Sequence, residues 1–268
     1  MPTPIEVLFD PISLATFALY AGLIFWERMA PAQKLAESRA WPLRGIIAFV
    51  VFFYLSTYLP LIWTDYLTPY QLFDLSAVHP AVAAATGLLV SEFGLYWWHR
   101  SQHASNVLWR VFHQMHHSAE RVDTFGAWYF SPMDMIGFTA LNSLALVVVV
   151  GLSPSAATAV ILVITFFQIF QHTNVRTPRW LGYIVQRPES HSIHHGRGIH
   201  GYNYSDLPVF DLLFGTFRNP PARERESGFY SGASERILDM LCFRDINRDI
   251  NPTSARGRDA RLETAPGT

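Results

Sequence analysis

Apolar residues run along this chain in long blocks. A hydrocarbon core about 30 Å thick needs roughly 20 mainly apolar residues in helical form, and residues 12–29, 43–63 and 80–98 each supply such a stretch. A fourth apolar region, residues 133–171, is too long for one helix. Gly151, Ser153 and Pro154 punctuate its middle, which predicts a hairpin of two spans, with a shallow re-entrant pair as the alternative. The pattern therefore predicts an all-α protein with four or five membrane-spanning helices. Residues 173–268 are polar enough for water or the headgroup boundary. Within them, Ile237, Leu238, Leu241 and Cys242 fall at helical spacing in segment 233–243, predicting a short helix that lies on the membrane or packs on the rest of the domain. Residues 251–268 mix Pro, Gly, Arg, Asp and Thr with little apolar content and predict a disordered tail.

Charge placement sharpens this picture. Arg28, Lys34, Arg39 and Arg44 follow the first block, Arg100, Arg110 and Arg121 follow the third, and the remaining thirteen basic residues follow Gln171. Residues 64–79 and the hairpin tip carry none. All 20 Lys and Arg thus fall on one face of a five-span arrangement, N-terminus out and C-terminus in, and the positive-inside rule makes that face cytoplasmic. Met1 to Pro11 lacks the basic region of a signal peptide, so the first block reads as a permanent span. Charged residues make up 15% of the chain against about 25% in ordinary globular domains, so a solvent other than water must cover much of the surface. A net charge of −1 offers no argument for a nucleic-acid partner. The single Cys242 excludes an intramolecular disulfide and any CxxC site, so a metal would have to be held by His, Asp or Glu.

The eleven histidines carry the chemistry. His99 and His103 form HxxxH, on one face of a helix, while His113, His116, His117 and His191, His194, His195 form two HxxHH motifs. At this His content one HxxHH has on the order of a 2% chance of arising at random, and two on the order of 10⁻⁴. All eight follow the third or the fifth span, on the basic face, so their helices would continue inward from the bilayer as stalks. Imidazole suits Fe, Zn and Cu. A structural zinc needs four ligands, so eight are too many for one ion and suit two ions with positions left open. His172, at the inner end of the last span, is a candidate ninth ligand. His79 lies on the opposite face and is excluded, and His200 reads as a hydrogen-bonding residue. Two redox metals could activate O2 at a C–H bond. Two zincs would restrict the chemistry to hydrolysis, a divalent-metal transporter would place its ligands near the midplane of the spans, and a bis-His haem carrier is a further alternative.

At these residues the sequence resembles the fatty acid hydroxylase superfamily, the sterol desaturase-type membrane enzymes. The matching text is HRSQH (residues 99–103), HQMHH (113–117), QHTN (171–174) and HSIHH (191–195), followed by NYSDLPVFDLLFGTF (203–217). The resemblance covers residues 91–219 and departs from the family at Phe210 and Ser205, neither of them a ligand position. It implies a non-haem centre of two iron ions with O2 as oxidant, hydroxylation or desaturation of a membrane lipid, and ligation by the eight motif histidines together with His172. A lone cysteine cannot hold an iron–sulfur cluster, so electrons would come from a separate donor protein. The expected organisation is an N-terminal transmembrane region (1–79), a catalytic domain with further spans and a cytoplasmic His-rich helical cap (80–219), and a C-terminal extension (220–268).

Metal-bound imidazoles usually donate their second nitrogen to a carboxylate or carbonyl. Glu120, Asp123, Glu189, Asp206 and Asp211 are the acids near the motifs, with Asp211, inside an apolar stretch, the foremost candidate. Glu92 lies seven positions before His99, on the same helical face and roughly 10 Å deeper. It would line a substrate passage, bond a ligand, or pair with a neighbouring helix. Asn203 is a further candidate support. Tyr96, Trp97, Trp98, Trp109, Phe112, Trp128, Tyr129 and Phe130 either wall a pocket that guides an alkyl chain to the metals or form the aromatic belt of the interface.

Overall fold

The computed structural model describes residues 1–247, so the expected disordered tail lies outside the described residues. Among the described residues every regular element is helical, and β structure is limited to one isolated bridge between Gly196 and Ser227. Helix α1 (Pro4–Phe9) opens on a Thr3/Glu6 capping box, and α2 (Pro11–Met29) starts where Asp10 accepts from the Ile12 N–H. Helices α3 (Trp41–Leu67) and α4 (Pro80–Ala104) follow. Beyond α4 the chain forms α5 (Asn106–Leu108), a π turn (Trp109–His113) and α6 (Gln114–His117). A 3-10 turn (Thr124–Trp128) then leads to α7 (Pro132–Ser143), which continues as a π segment (Leu144–Val149), and to α8 (Pro154–His172). The remainder holds a 3-10 turn (Arg179–Tyr183), α9 (Pro188–His194), α10 (Pro208–Leu213) and α11 (Ile237–Leu241).

Each apolar block therefore forms a helix, and the fourth forms the expected hairpin. Its turn is possible because Gly151 adopts φ 64°, where a Cβ would meet the Phe73 carbonyl oxygen at 2.2 Å. Ser153 and Pro154 then start α8 as cap and first-turn residues. Among the described residues three helical stretches are long and apolar enough to cross a membrane: Trp41–Tyr70, Pro132–Val149 and Pro154–His172. Helices α2 and α4 have sufficient length, but Glu27 and Arg28 in the one, and Glu92, His99, Arg100 and His103 in the other, dilute their apolar character. The molecule is an integral membrane protein built from helices.

Helix α3 packs on α7, and α4 on α8. Tyr20 of α2 stacks on Phe49 of α3 at 4.5 Å, and Phe52 stacks on Trp128 at 4.3 Å. Gly45 lets α3 approach the 124–128 turn closely, since a Cβ there would stand 2.4 Å from the Phe125 carbonyl oxygen. Trp41 is fully buried and donates its indole N–H to Asp123 at 2.8 Å. Segment 233–243 divides into a 3-10 turn (Ala233–Glu235) and α11. Ala233 and Met240 are buried and α11 packs on α6, so this segment docks on the histidine-bearing part of the protein.

Candidate metal centre

The HxxxH pair occupies the last two turns of α4, which runs past the expected end of the span. The first HxxHH straddles the π turn and α6, and the second occupies α9 and its C-cap. The nine candidate ligands meet in two groups. His99, His103, His113, His117 and His194 form one, and His116, His172, His191 and His195 form the other, with the potential ligand atoms of each group within 4.8 Å of one another. All except the partly exposed His103 are buried.

The spacing explains the division. On a helix, i and i+4 point the same way, whereas i+3 and i+4 diverge by about 100°. Each HxxHH accordingly sends its outer pair to one group and its middle histidine to the other. His113 and His117 join the first group while His116 joins the second, and His191 and His195 join the second while His194 joins the first. Consecutive rings stand nearly perpendicular, at 89° for His116 and His117 and 80° for His194 and His195. The π winding, in which the Gln114 N–H reaches the Trp109 carbonyl, sets His113 at the junction with α6.

The donor set fits metal ions. One ion taking imidazole nitrogens at about 2.0–2.1 Å leaves neighbouring nitrogens roughly 2.9–3.4 Å apart. Nε2 of His99 and His113 are 2.9 Å apart, those of His116 and His172 3.1 Å, His172 and His191 3.0 Å, and His191 and His195 3.1 Å. Nε2 of His103, His117 and His194 are buried without a protein partner, an expense that a ligated ion would remove. Burial, and then the neighbouring imidazoles, hold His113, His116, His117, His191, His194 and His195 well below the ordinary imidazole pKa, so these rings stand neutral with lone pairs available.

The second ring nitrogens are fixed from outside. His99 donates Nδ1–H to the Tyr204 carbonyl and His194 to the Tyr202 carbonyl, both at 2.8 Å, and His172 donates to the Gln168 carbonyl at 2.6 Å. His113 donates Nδ1–H to Asp134 at 2.7 Å, and the same carboxylate accepts from Gln102 at 2.6 Å. None of the five acids named from the sequence touches an imidazole. Asp211 instead accepts from the Tyr204 and Ser205 N–H groups, Glu120 from Ser234, Asp123 from Trp41, Glu189 from Thr177, and Asp206 from Gln171. Asp134 was not among them because it lies at the start of the apolar hairpin and reads there as part of a span. Its signal is local: Ser131 and Pro132 mark a helix start, and Asp134 is the acid of that first turn.

Glu92, Asn203 and Asp211 act on one loop. The fully buried Glu92 accepts from the Asp206 and Leu207 N–H groups at 2.9 and 3.0 Å, so among the described residues it bonds this loop and not an imidazole or a neighbouring helix. Asn203, at φ 49°, donates to the Ser190 and Arg218 carbonyls. Together with Asp211 they hold residues 202–207, whose carbonyls orient His99 and His194. Both departures from the family pattern are accommodated there, since Ser205 bonds Asp211 at 2.9 Å and Phe210 packs on Phe93.

His200 lies outside both groups, and its Nδ1 stands 3.1 Å from Nδ1 of His117. His79 caps the far end of α4. Of the aromatic residues, Phe130 stacks on His116 at 4.2 Å and Trp109 packs on His103 and His117, while Trp128 and Tyr129 pack on Phe52 and Trp41 and Trp97 faces outward. Phe138 and Tyr204, not singled out from the sequence, complete the wall against His99.

Fold and site together define an all-helical membrane protein with a two-part polyhistidine centre. Comparison with known proteins agrees: the fatty acid hydroxylase family profile matches residues 84–216. The chain is 34% identical over 151 residues to the ornithine lipid hydroxylase OlsE of Rhizobium tropici, a match covering 53% of this chain and 43% of that protein. It is 32% identical over 161 residues to human (Homo sapiens) alkylglycerol monooxygenase, covering 58% and 34%, and 27% identical over 150 residues to the Delta(7)-sterol-C5(6)-desaturase of Nicotiana tabacum, covering 55% and 54%. The chain thus spans about a third to a half of the length of these relatives. No solved structure matches it. The chain belongs to the fatty acid hydroxylase superfamily.

Proposed function

We propose that this protein is a membrane-bound, O2-dependent oxidoreductase that hydroxylates or desaturates a C–H bond of a membrane lipid at a centre of two iron ions. The observation that carries this reading is the pair of adjacent, all-imidazole groups, five and four histidines, gathered where α4 and α8 end. His99, His103, His113, His117 and His194 would hold one ion, and His116, His172, His191 and His195 the other. Bound there, two redox-active ions supply the activation of O2 that an unactivated C–H bond requires.

The chain's own residues do the rest. Asp134 and the carbonyls of Tyr202, Tyr204 and Gln168 keep the Nδ1 protons in place, so each Nε2 lone pair faces its group. Phe130, Trp109, Phe138 and Tyr204 exclude water from the rings. A lipid substrate is supported by the position of the centre beside the apolar helices and by lipid-acting relatives. Five spans, with the basic face and the histidines on the cytoplasmic side, account for the placement of all 20 Lys and Arg. The catalytic unit would be residues 80–219, and a separate protein would deliver the electrons.

The test is lipid analysis of cells expressing the wild type or His194→Ala under isotopically heavy dioxygen. A lipid hydroxylated with label from O2 in the wild type alone supports hydroxylation, and a new alkene that disappears without O2 supports desaturation. A lipid product formed equally well under strict anaerobiosis would overturn the reading and favour a two-zinc hydrolase.

A further inference from the structure

Helix α10 is built inside out. Its polar residue, Asp211, is fully buried against loop 203–205, whereas Leu212 and Leu213 are 50% and 69% exposed and Val209 faces outward beside them. Helices at a water boundary turn their charged face to the solvent. The neighbouring 3-10 turn, Arg179–Tyr183, likewise exposes its apolar residues: Trp180, Tyr183 and the adjoining Ile184 are 56–62% exposed. The two elements pack together, so their apolar residues form one continuous surface.

That surface continues onto α4. Phe210 meets Phe93 at 5.5 Å between ring centroids, and Phe214 meets Trp97 and Tyr96 at 5.0 Å each. Phe93 lies six residues, roughly 9 Å along the helix axis, before His99, and is itself exposed. If α4 crosses the bilayer, α10 lies against a part of it that is within the apolar layer. Exposed Arg176, Arg179 and Arg218 lie in or beside the segments forming this surface, and the Asn219 side chain donates to the Arg179 carbonyl, bringing residues 218–219 beside the turn. Apolar residues rimmed by arginines match the acyl and phosphate layers of a leaflet.

We propose that α10 and the Arg179–Tyr183 turn form a shelf embedded in the leaflet on the histidine-bearing side, without crossing it. The shelf follows directly on loop 202–207, so the segment that orients His99 and His194 is seated in lipid. The proposal rests on α4 crossing the bilayer, as in the reading above.

Its test is nitroxide scanning in phosphatidylcholine/phosphatidylglycerol vesicles, with single cysteines replacing Leu213 or Trp180 in the full chain carrying Cys242→Ser. Leu89→Cys, on the outward side of α4, is the bilayer reference and Glu226→Cys the aqueous one; bound metal reports correct folding. At Leu213→Cys and Trp180→Cys, collisions with O2 should exceed those with a water-soluble nickel chelate several-fold, as at Leu89→Cys. Labels that behave as at Glu226→Cys would overturn the shelf, as would labels shielded from both reagents, the mark of a protein partner or a second copy. Water-like behaviour at Leu89→Cys would instead overturn the crossing of α4.

Discussion

Asp134 shows how one carboxylate can tune a polyhistidine centre. Its contact with His113 Nδ1 at 2.7 Å fixes the ring's tautomer and raises the basicity of Nε2. Asp134→Asn should weaken metal binding by about 10- to 100-fold, the usual effect of losing such a partner, as read by competition with a chromogenic chelator; unchanged affinity would remove Asp134 from this role. His194→Ala and His116→Ala draw on different groups, so each should abolish activity and lower bound metal while the protein still inserts. His79→Ala, at the far end of α4, should leave both unaltered. The histidines that meet in the two groups were legible because i, i+3 and i+4 spacing is a property of sequence alone. Their carbonyl partners were not, because Tyr202 and Tyr204 contribute main-chain atoms, which every residue possesses.

The apolar blocks translated directly into helices, since block length and Gly or Pro punctuation express the same physics that ends a span. The π turn at Trp109–His113 had no such signature, and the extension of α4 to Ala104 was visible only through its histidines. The inverted amphipathicity of α10 was likewise hidden: six residues are too few for periodicity to separate a buried apolar face from a lipid-facing one. Close packing between elements has a single-residue test. Gly45→Ala would gain helix propensity but set a methyl group 2.4 Å from the Phe125 carbonyl oxygen, and forcing α3 off the 124–128 turn should cost about 1–3 kcal/mol. A lowered unfolding midpoint in detergent is expected; a raised one would mean that α3 has room to move.

Across the whole molecule, spacing splits each HxxHH, but which parts then meet depends on how α4, the π turn with α6, α8 and α9 converge, and no linear spacing encodes that convergence. The basic residues give a topology to test, because charge placement relative to the bilayer is set by local sequence. It implies that His79→Cys and Glu226→Cys, each in a Cys242→Ser background, react with an impermeant thiol reagent from opposite sides of sealed vesicles; labelling from the same side would refute the five-span arrangement. The central claim is that the two imidazole groups each hold an ion. Anomalous diffraction at the iron edge from protein purified under reducing, anaerobic conditions tests it most directly. The account predicts two iron peaks per chain, one among His99, His103, His113, His117 and His194 and one among His116, His172, His191 and His195, whereas a single peak, or iron bound elsewhere, would contradict it.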